Sequence, residues 1–154
     1  MSHGTDNKGF TLIEMLMVLV IIAILAVIVL PRIMNGRRRA TEEATRQTLA
    51  ELNRAVEEFE ADVGCYPTGL ADLLTRVAAN YVGKAIAATT VVDVTAPDAD
   101  TLWKGPYLKA TTVPPVPIGF GSWRLVTDTA SLLGMVNITG TTRIALDGSN
   151  YTDW

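Results

Sequence analysis

Apolar positions follow two different patterns along the chain. From Met15 to Leu30 every side chain is apolar, and only Glu14 separates that run from Leu12 and Ile13. Farther on, Leu49, Leu52, Val56, Phe59 and Val63 recur at steps of three, four, three and four, the spacing of one face of an α-helix. Glu42, Glu43, Arg46, Glu51, Arg54, Glu57, Glu58 and Glu60 fill the opposite face. Gly64, with Pro67 just beyond, ends the pattern as a common helix stop. A helix running from Phe10 to Val63 would be about 80 Å long, far more than the roughly 30 Å of a hydrocarbon core. Residues 10–30, about 31 Å of helix, suit a membrane span; residues 31–63 form an amphipathic continuation that needs a covering domain. Pro31 lacks a backbone N–H and is expected to bend or locally melt the helix, with Gly36 a second weak point. The place where the span ends is an equally good reading of that proline.

Residues 64–154 read as a small α+β unit. Thr68 is placed to cap a short helix from about Gly69 to Val77 that carries Leu70, Leu73, Leu74 and Val77. The stretch from Gly83 to Thr101 has no clear period and reads as a loop with one short strand at Val91 to Val94. Pro106, Pro114, Pro115 and Pro117 then punctuate an extended segment. Three alternating runs follow, Trp123 to Thr127, Met135 to Thr139 and Thr142 to Leu146. They predict an antiparallel sheet of three or four strands, with Trp123 and Leu125, Val136 and Ile138, and Ile144 and Leu146 inward. That face would pack on the helix stripe and give one shared core. The fold class is therefore α+β, a long amino-terminal helix against a small antiparallel sheet.

Composition narrows the functions open to such a chain. At 154 residues it is one ordinary domain's worth, which excludes a large multidomain enzyme. The net charge of −3 offers no basic excess for a phosphate backbone, so nucleic acid is not an expected partner. Arg37, Arg38 and Arg39 sit just past the apolar run and suit a headgroup layer. Taken alone, these arginines would hold the carboxy-terminal domain in the cytoplasm by the positive-inside tendency. Cys65 is the single cysteine and His3 the single histidine, so no intrachain disulfide can form.

The order Lys8, Gly9, Phe10, Thr11, Leu12, Ile13, Glu14 and Met15 at the head of the apolar run resembles the processing site of type IV pilins and of the pseudopilins of type II secretion. The resemblance extends through Pro31, where these proteins often carry a helix-bending proline. It implies a type IV pilin-like fold, a leader of residues 1–9 removed between Gly9 and Phe10 by a membrane-embedded prepilin peptidase, and N-methylation of Phe10. It also implies that the domain of residues 64–154 faces outward from the inner membrane, against the charge count. Loss of the leader would remove His3, which excludes histidine-based acid–base work and ordinary zinc sites; an enzyme is not expected. Within the domain, Gly64-Cys65-Tyr66-Pro67-Thr68 and Gly105-Pro106-Tyr107-Leu108-Lys109 are similar to segments of the major pseudopilin of type II secretion. That family usually continues with Asp-Pro-Trp-Gly, where Pro117, Ile118, Gly119 and Phe120 stand here. Tyr66 and Tyr107 are expected as core or interface aromatics.

A carboxylate in an apolar stretch costs about 2.5–3.5 kcal/mol at a membrane centre and less near an interface, where Glu14 sits. Cleavage after Gly9 would create an amino group on Phe10, one helical turn away. In a stack of axially shifted helices, Glu14 of one subunit could meet the amine of the next and fix their register. Snorkelling of Glu14 to headgroups is the plain alternative.

No cofactor and no resident metal are expected from the residues themselves. The resemblance does imply calcium near the carboxy terminus, where Asp147, Asn150 and Asp153 lie in a turn-rich tail. The expected function is a structural subunit of a helical envelope filament, a pseudopilus that drives protein secretion. The expected partners are copies of the same chain, the prepilin peptidase, minor pseudopilins and an inner-membrane assembly platform. The alternatives are a type IV pilin or minor pilin used for adhesion, motility or DNA uptake, and a membrane-anchored binding protein that never polymerises.

Overall fold

The structure, a computed structural model, describes residues 10–141 and 144–154. The chain divides into two compact units after Arg39. Helix α1 is Leu12–Val63 and contains Pro31 and Gly36. Its part within the second unit is the spine of a small core.

In that second unit the expected stripe is buried. Leu52 and Phe59 are fully enclosed, Val56 and Val63 nearly so, and Leu49 follows them. The same steps of three and four continue backwards to Thr45 and Glu42, which are buried as well. Glu42, expected on the polar face, is therefore corrected to the core side. Its carboxylate is admitted there because it accepts hydrogen bonds from the Leu146 amide at 3.1 Å and the Tyr151 hydroxyl at 2.7 Å; a buried acceptor with donors loses little on leaving water. At the other end, Gly64 takes φ +84° and its amide donates to the Glu60 carbonyl at 2.8 Å. A left-handed residue there closes the helix, and only glycine adopts it without strain.

The helix expected over 69–77 is only a 3₁₀ turn, Leu70–Leu73. Thr68 does not cap it as a side-chain acceptor. Instead Asp72 Oδ2 accepts from the amides of Thr68 and Gly69 and from the hydroxyls of Thr68 and Tyr81. One carboxylate ties the turn to the strand that follows, leaving Leu73 and Val77 in the core. Burial and the Asp72 carboxylate push the Tyr81 hydroxyl well above its ordinary pKa.

The stretch read as a loop with one strand is a hairpin. Strand β1 (Tyr81–Ala87) pairs antiparallel with β2 (Thr90–Ala96), Tyr81 opposite Ala96 and Ala87 opposite Thr90. Two features hid it: Val82 and Ile86 point to solvent at 48 % and 49 % exposure, which erases the alternation, and the two-residue tip uses Ala88 at φ +58° where asparagine or glycine is the usual signal. At Gly83 an added Cβ would lie 2.4 Å from the Cys65 Sγ and 2.7 Å from the Tyr66 carbonyl. The missing side chain lets β1 approach closely enough for Tyr66 and Lys84 to exchange backbone hydrogen bonds at 2.8 and 2.9 Å. Cys65 beneath them is 1 % exposed, and burial pushes its thiol pKa up. A short helix α2 (Ala99–Leu102) follows.

Strands β3 (Ser122–Leu125) and β4 (Val136–Thr139) pair antiparallel. Leu125, Val136 and Ile138 are buried and Trp123 partly so, as expected. They do not join β1 and β2, so the single sheet of three or four strands is corrected to two two-stranded sheets. The third expected run fares differently. Thr142 and Arg143 lie outside the described residues, Ile144 makes an isolated bridge to Asn150, and Ile144 and Leu146 are exposed while Ala145 is buried. The tail turns there, with Ala145 donating to the Ser149 carbonyl at 2.8 Å, and a turn shifts the inward position by one residue.

Two apolar clusters result. The larger joins the α1 stripe to Leu73, Ala96, Leu108, Leu125 and Val136, and the smaller joins Val116, Ile138, Ala145 and Tyr151. Tyr107 packs edge-on against Phe59 and against Trp103, ring centroids 5.7 Å apart in both pairs, and its hydroxyl donates to Asp62 at 3.1 Å. Tyr66 is partly buried against the larger cluster. Both tyrosines are thus core aromatics.

We expect Phe59→Ala to cost about 3–5 kcal/mol, measured by denaturant unfolding in detergent followed by tryptophan fluorescence. Leu146→Ala, which the sequence pattern alone would place among core losses, is expected to cost less than about 1 kcal/mol.

Candidate processing and assembly segment

The first turn of α1 is built by its own side chains. Phe10 and Thr11 precede the helix, Phe10 at 76 % exposure. Thr11 is the residue whose carbonyl accepts the first helical bond, from the Met15 amide at 3.3 Å. Its hydroxyl oxygen accepts from the Glu14 amide at 3.3 Å, and Glu14 Oε2 in return accepts from the Thr11 amide and hydroxyl, both at 3.0 Å. This reciprocal pair satisfies donors that a helix start otherwise leaves open. The Thr-x-x-Glu spacing of Thr11 and Glu14 is the sequence signal for it, a role for Glu14 beside the subunit pairing and headgroup snorkelling expected from its apolar setting.

Beyond that turn, the apolar side chains from Leu12 to Leu30 remain exposed, from 47 % at Ile21 to 84 % at Leu12. This is the one described helix long and apolar enough to cross a membrane. Apolar surface costs about 25 cal/mol per Å² left in water, and a contiguous patch of this extent marks a membrane or subunit contact. Arg37, Arg38 and Arg39 are all exposed just beyond it.

Among the expected site residues, Phe10 and Glu14 come together at the helix start, one turn apart in sequence. Pro31 lies inside α1, and Gly9 lies outside the described residues.

The carboxy-terminal tail does not fit calcium. Asp147 Oδ2 accepts from the Arg46 guanidinium at 2.5 Å, and Oδ1 accepts from the Ser149 amide at 2.9 Å and hydroxyl at 2.6 Å. Asp153 is engaged by Asn150 and Thr152. Among the described residues no three His, Cys, Asp or Glu side chains gather closely enough to hold a metal. The Ser149 donors and then Arg46 hold the Asp147 carboxyl down at about 2, against an ordinary 3.8. Because the folded value is the lower one, the contribution of these bonds is complete above pH 3.8 and is lost as pH falls towards 2.

Comparison with known proteins agrees with the segment. Residues 5–30 match the prokaryotic N-terminal methylation motif. The chain is similar to type II secretion system core protein G of Escherichia coli, 35 % identical over 88 residues that cover 51 % of this chain and 61 % of that one. It is similar to the protein of the same name from Pectobacterium carotovorum, 32 % identical over 76 residues covering 47 % and 49 %. It is also similar to type IV wide pilus major component PilA4 of Thermus thermophilus, 37 % identical over 70 residues covering 46 % and 53 %. The chain thus spans between about half and three-fifths of the length of these three relatives. No solved structure gives a significant match. The resemblance carried by the head of the apolar run is therefore shown: this is a chain with a prokaryotic N-terminal methylation motif over residues 5–30, similar to type II secretion core proteins G and to a type IV pilus component.

Thr11→Ala removes one half of the reciprocal cap. We expect it to destabilise the helix start by about 0.5–2 kcal/mol, seen as faster amide exchange at Leu12 to Glu14 in detergent micelles with exchange at Leu52 to Phe59 unchanged.

Proposed function

We propose that this chain is a structural subunit of a helical envelope filament, a pseudopilus of the type II secretion kind. The observation that carries the reading is the methylation motif over residues 5–30 seated on a helix start whose following apolar surface is exposed throughout. Before processing, that surface lies in the inner membrane as a single span, with residues 64–154 on the outer side. After removal of residues 1–9 by a prepilin peptidase and methylation of Phe10, the same surface packs against its copies in the filament. The driving force is apolar burial. Register comes from charge: Thr11 engages only Oε2 of Glu14, and the other carboxylate oxygen meets the Phe10 amine of a neighbouring copy. Pro31 is the bend that lets α1 exchange a lipid environment for a packed one. Growth of the filament on an inner-membrane platform, with minor pseudopilins at its tip, moves secreted proteins outward; the role is mechanical rather than catalytic.

Similarity to the Thermus pilus component favours a second reading, a type IV pilus subunit of the same build. Deletion separates the two. A pseudopilin loss stops protein secretion and spares surface motility, whereas a pilin loss does the reverse.

Gly9→Ala should leave the precursor uncut in its native host; a mature chain of wild-type mass would refute processing at that bond. Glu14→Ala should be cut and membrane-bound yet absent from sheared filaments. Wild-type filament yield from that variant would remove the register mechanism and leave anchoring intact.

A further inference from the structure

The carboxy-terminal tail is closed by two residues one turn apart on α1. Glu42, 5 % exposed, accepts from the Leu146 amide and the Tyr151 hydroxyl. Arg46 takes the next position along the helix. Its guanidinium donates to Asp147 and lies 4.3 Å from the centroid of the Trp154 ring, within the range of a cation–π contact. The tail then binds itself: the Trp154 indole N–H donates to the Ser149 hydroxyl at 2.8 Å, and that hydroxyl donates to Asp147. Tyr151 is packed edge-on between Phe120 and Trp154, ring centroids 5.6 and 4.7 Å away.

A divalent cation closing such a turn would need carboxylate oxygens with lone pairs to spare and no competing positive charge. Here Asp147 Oδ1 already accepts from two Ser149 donors and Oδ2 from the Arg46 guanidinium, which leaves about one of its four lone-pair sites, and a positive charge already lies against it. We propose that Arg46 serves as the built-in cation of this turn, standing where the resemblance to major pseudopilins leads one to expect calcium, so that the tail closes without a metal. A guanidinium suits the position because it donates to the carboxylate and lies over the Trp154 ring at the same time, its weak hydration making both contacts less costly than for a strongly hydrated divalent ion. The consequence is a domain whose closing turn is indifferent to the calcium level outside the cell. It holds whether or not the chain polymerises.

The test uses the full chain in detergent micelles, with hydrogen–deuterium exchange read over residues 144–154 by mass spectrometry. In the wild type, exchange in excess EDTA and in millimolar calcium chloride should agree within about threefold. Arg46→Gln should speed exchange by about 3- to 10-fold in both media, as expected for loss of an ion pair with an aromatic contact, while residues 49–63 keep wild-type protection. Calcium slowing wild-type exchange beyond threefold would overturn the proposal, as would an Arg46→Gln tail that exchanges like the wild type. If Arg46→Gln fails to fold, Asp147→Asn takes its place with the same expectation, and the wild-type comparison of the two media decides the metal question with no variant at all.

Discussion

Apolar side chains on α1 meet two different needs. From Leu49 to Val63 they are covered by the chain itself, by Leu73, Leu125 and Val136 among others. From Leu12 to Leu30 they are exposed among the described residues. An exposed aliphatic residue forgoes about 1.5–3 kcal/mol that burial would return, so this half of the helix suits a membrane or a subunit contact. The folded unit after Arg39 needs no such help; its stripe ends in a glycine stop and its strands close over it. In the proposed function, anchoring and assembly draw on this same surface.

Polar groups at the ends of these apolar stretches are answered locally before they are answered by partners. Glu14 is bound by Thr11, Glu42 by Leu146 and Tyr151, and Asp72 by four donors from the turn and from β1. In each case one carboxylate collects several N–H or O–H groups, the arrangement that makes a charge tolerable beside apolar surface. Among the described residues Glu14 has one oxygen engaged, by Thr11, and it lies in the segment whose apolar side chains are exposed.

Much of this was legible from spacing. The stripe of Leu49 to Val63, its end at Gly64 and the inward faces of β3 and β4 follow from periods of 3.6 and 2, and the segment from Phe10 to Glu14 announced itself by residue order. What was missed had physical reasons. Glu42 continues the stripe's spacing but is a carboxylate, and donors far along the chain, at residues 146 and 151 among them, make its burial possible. The β1–β2 hairpin turns on Ala88 rather than on an asparagine or glycine, and it exposes the valine and isoleucine that should have marked an inner face. Among the described residues, Ile144 to Leu146 make one isolated bridge rather than a strand because the chain turns back at Ala145, a feature that alternation of residue types does not encode.

The setting of Cys65 has a bearing on chains crowded side by side. Its sulfur sits behind Gly83 and the Tyr66 backbone, almost wholly enclosed, and burial keeps it in the thiol form. Disulfide exchange requires a thiolate that another sulfur can reach, and neither condition holds while the unit is folded. Copies packed densely in an oxidising milieu would thus stay free of covalent cross-links, leaving their association reversible and open to disassembly.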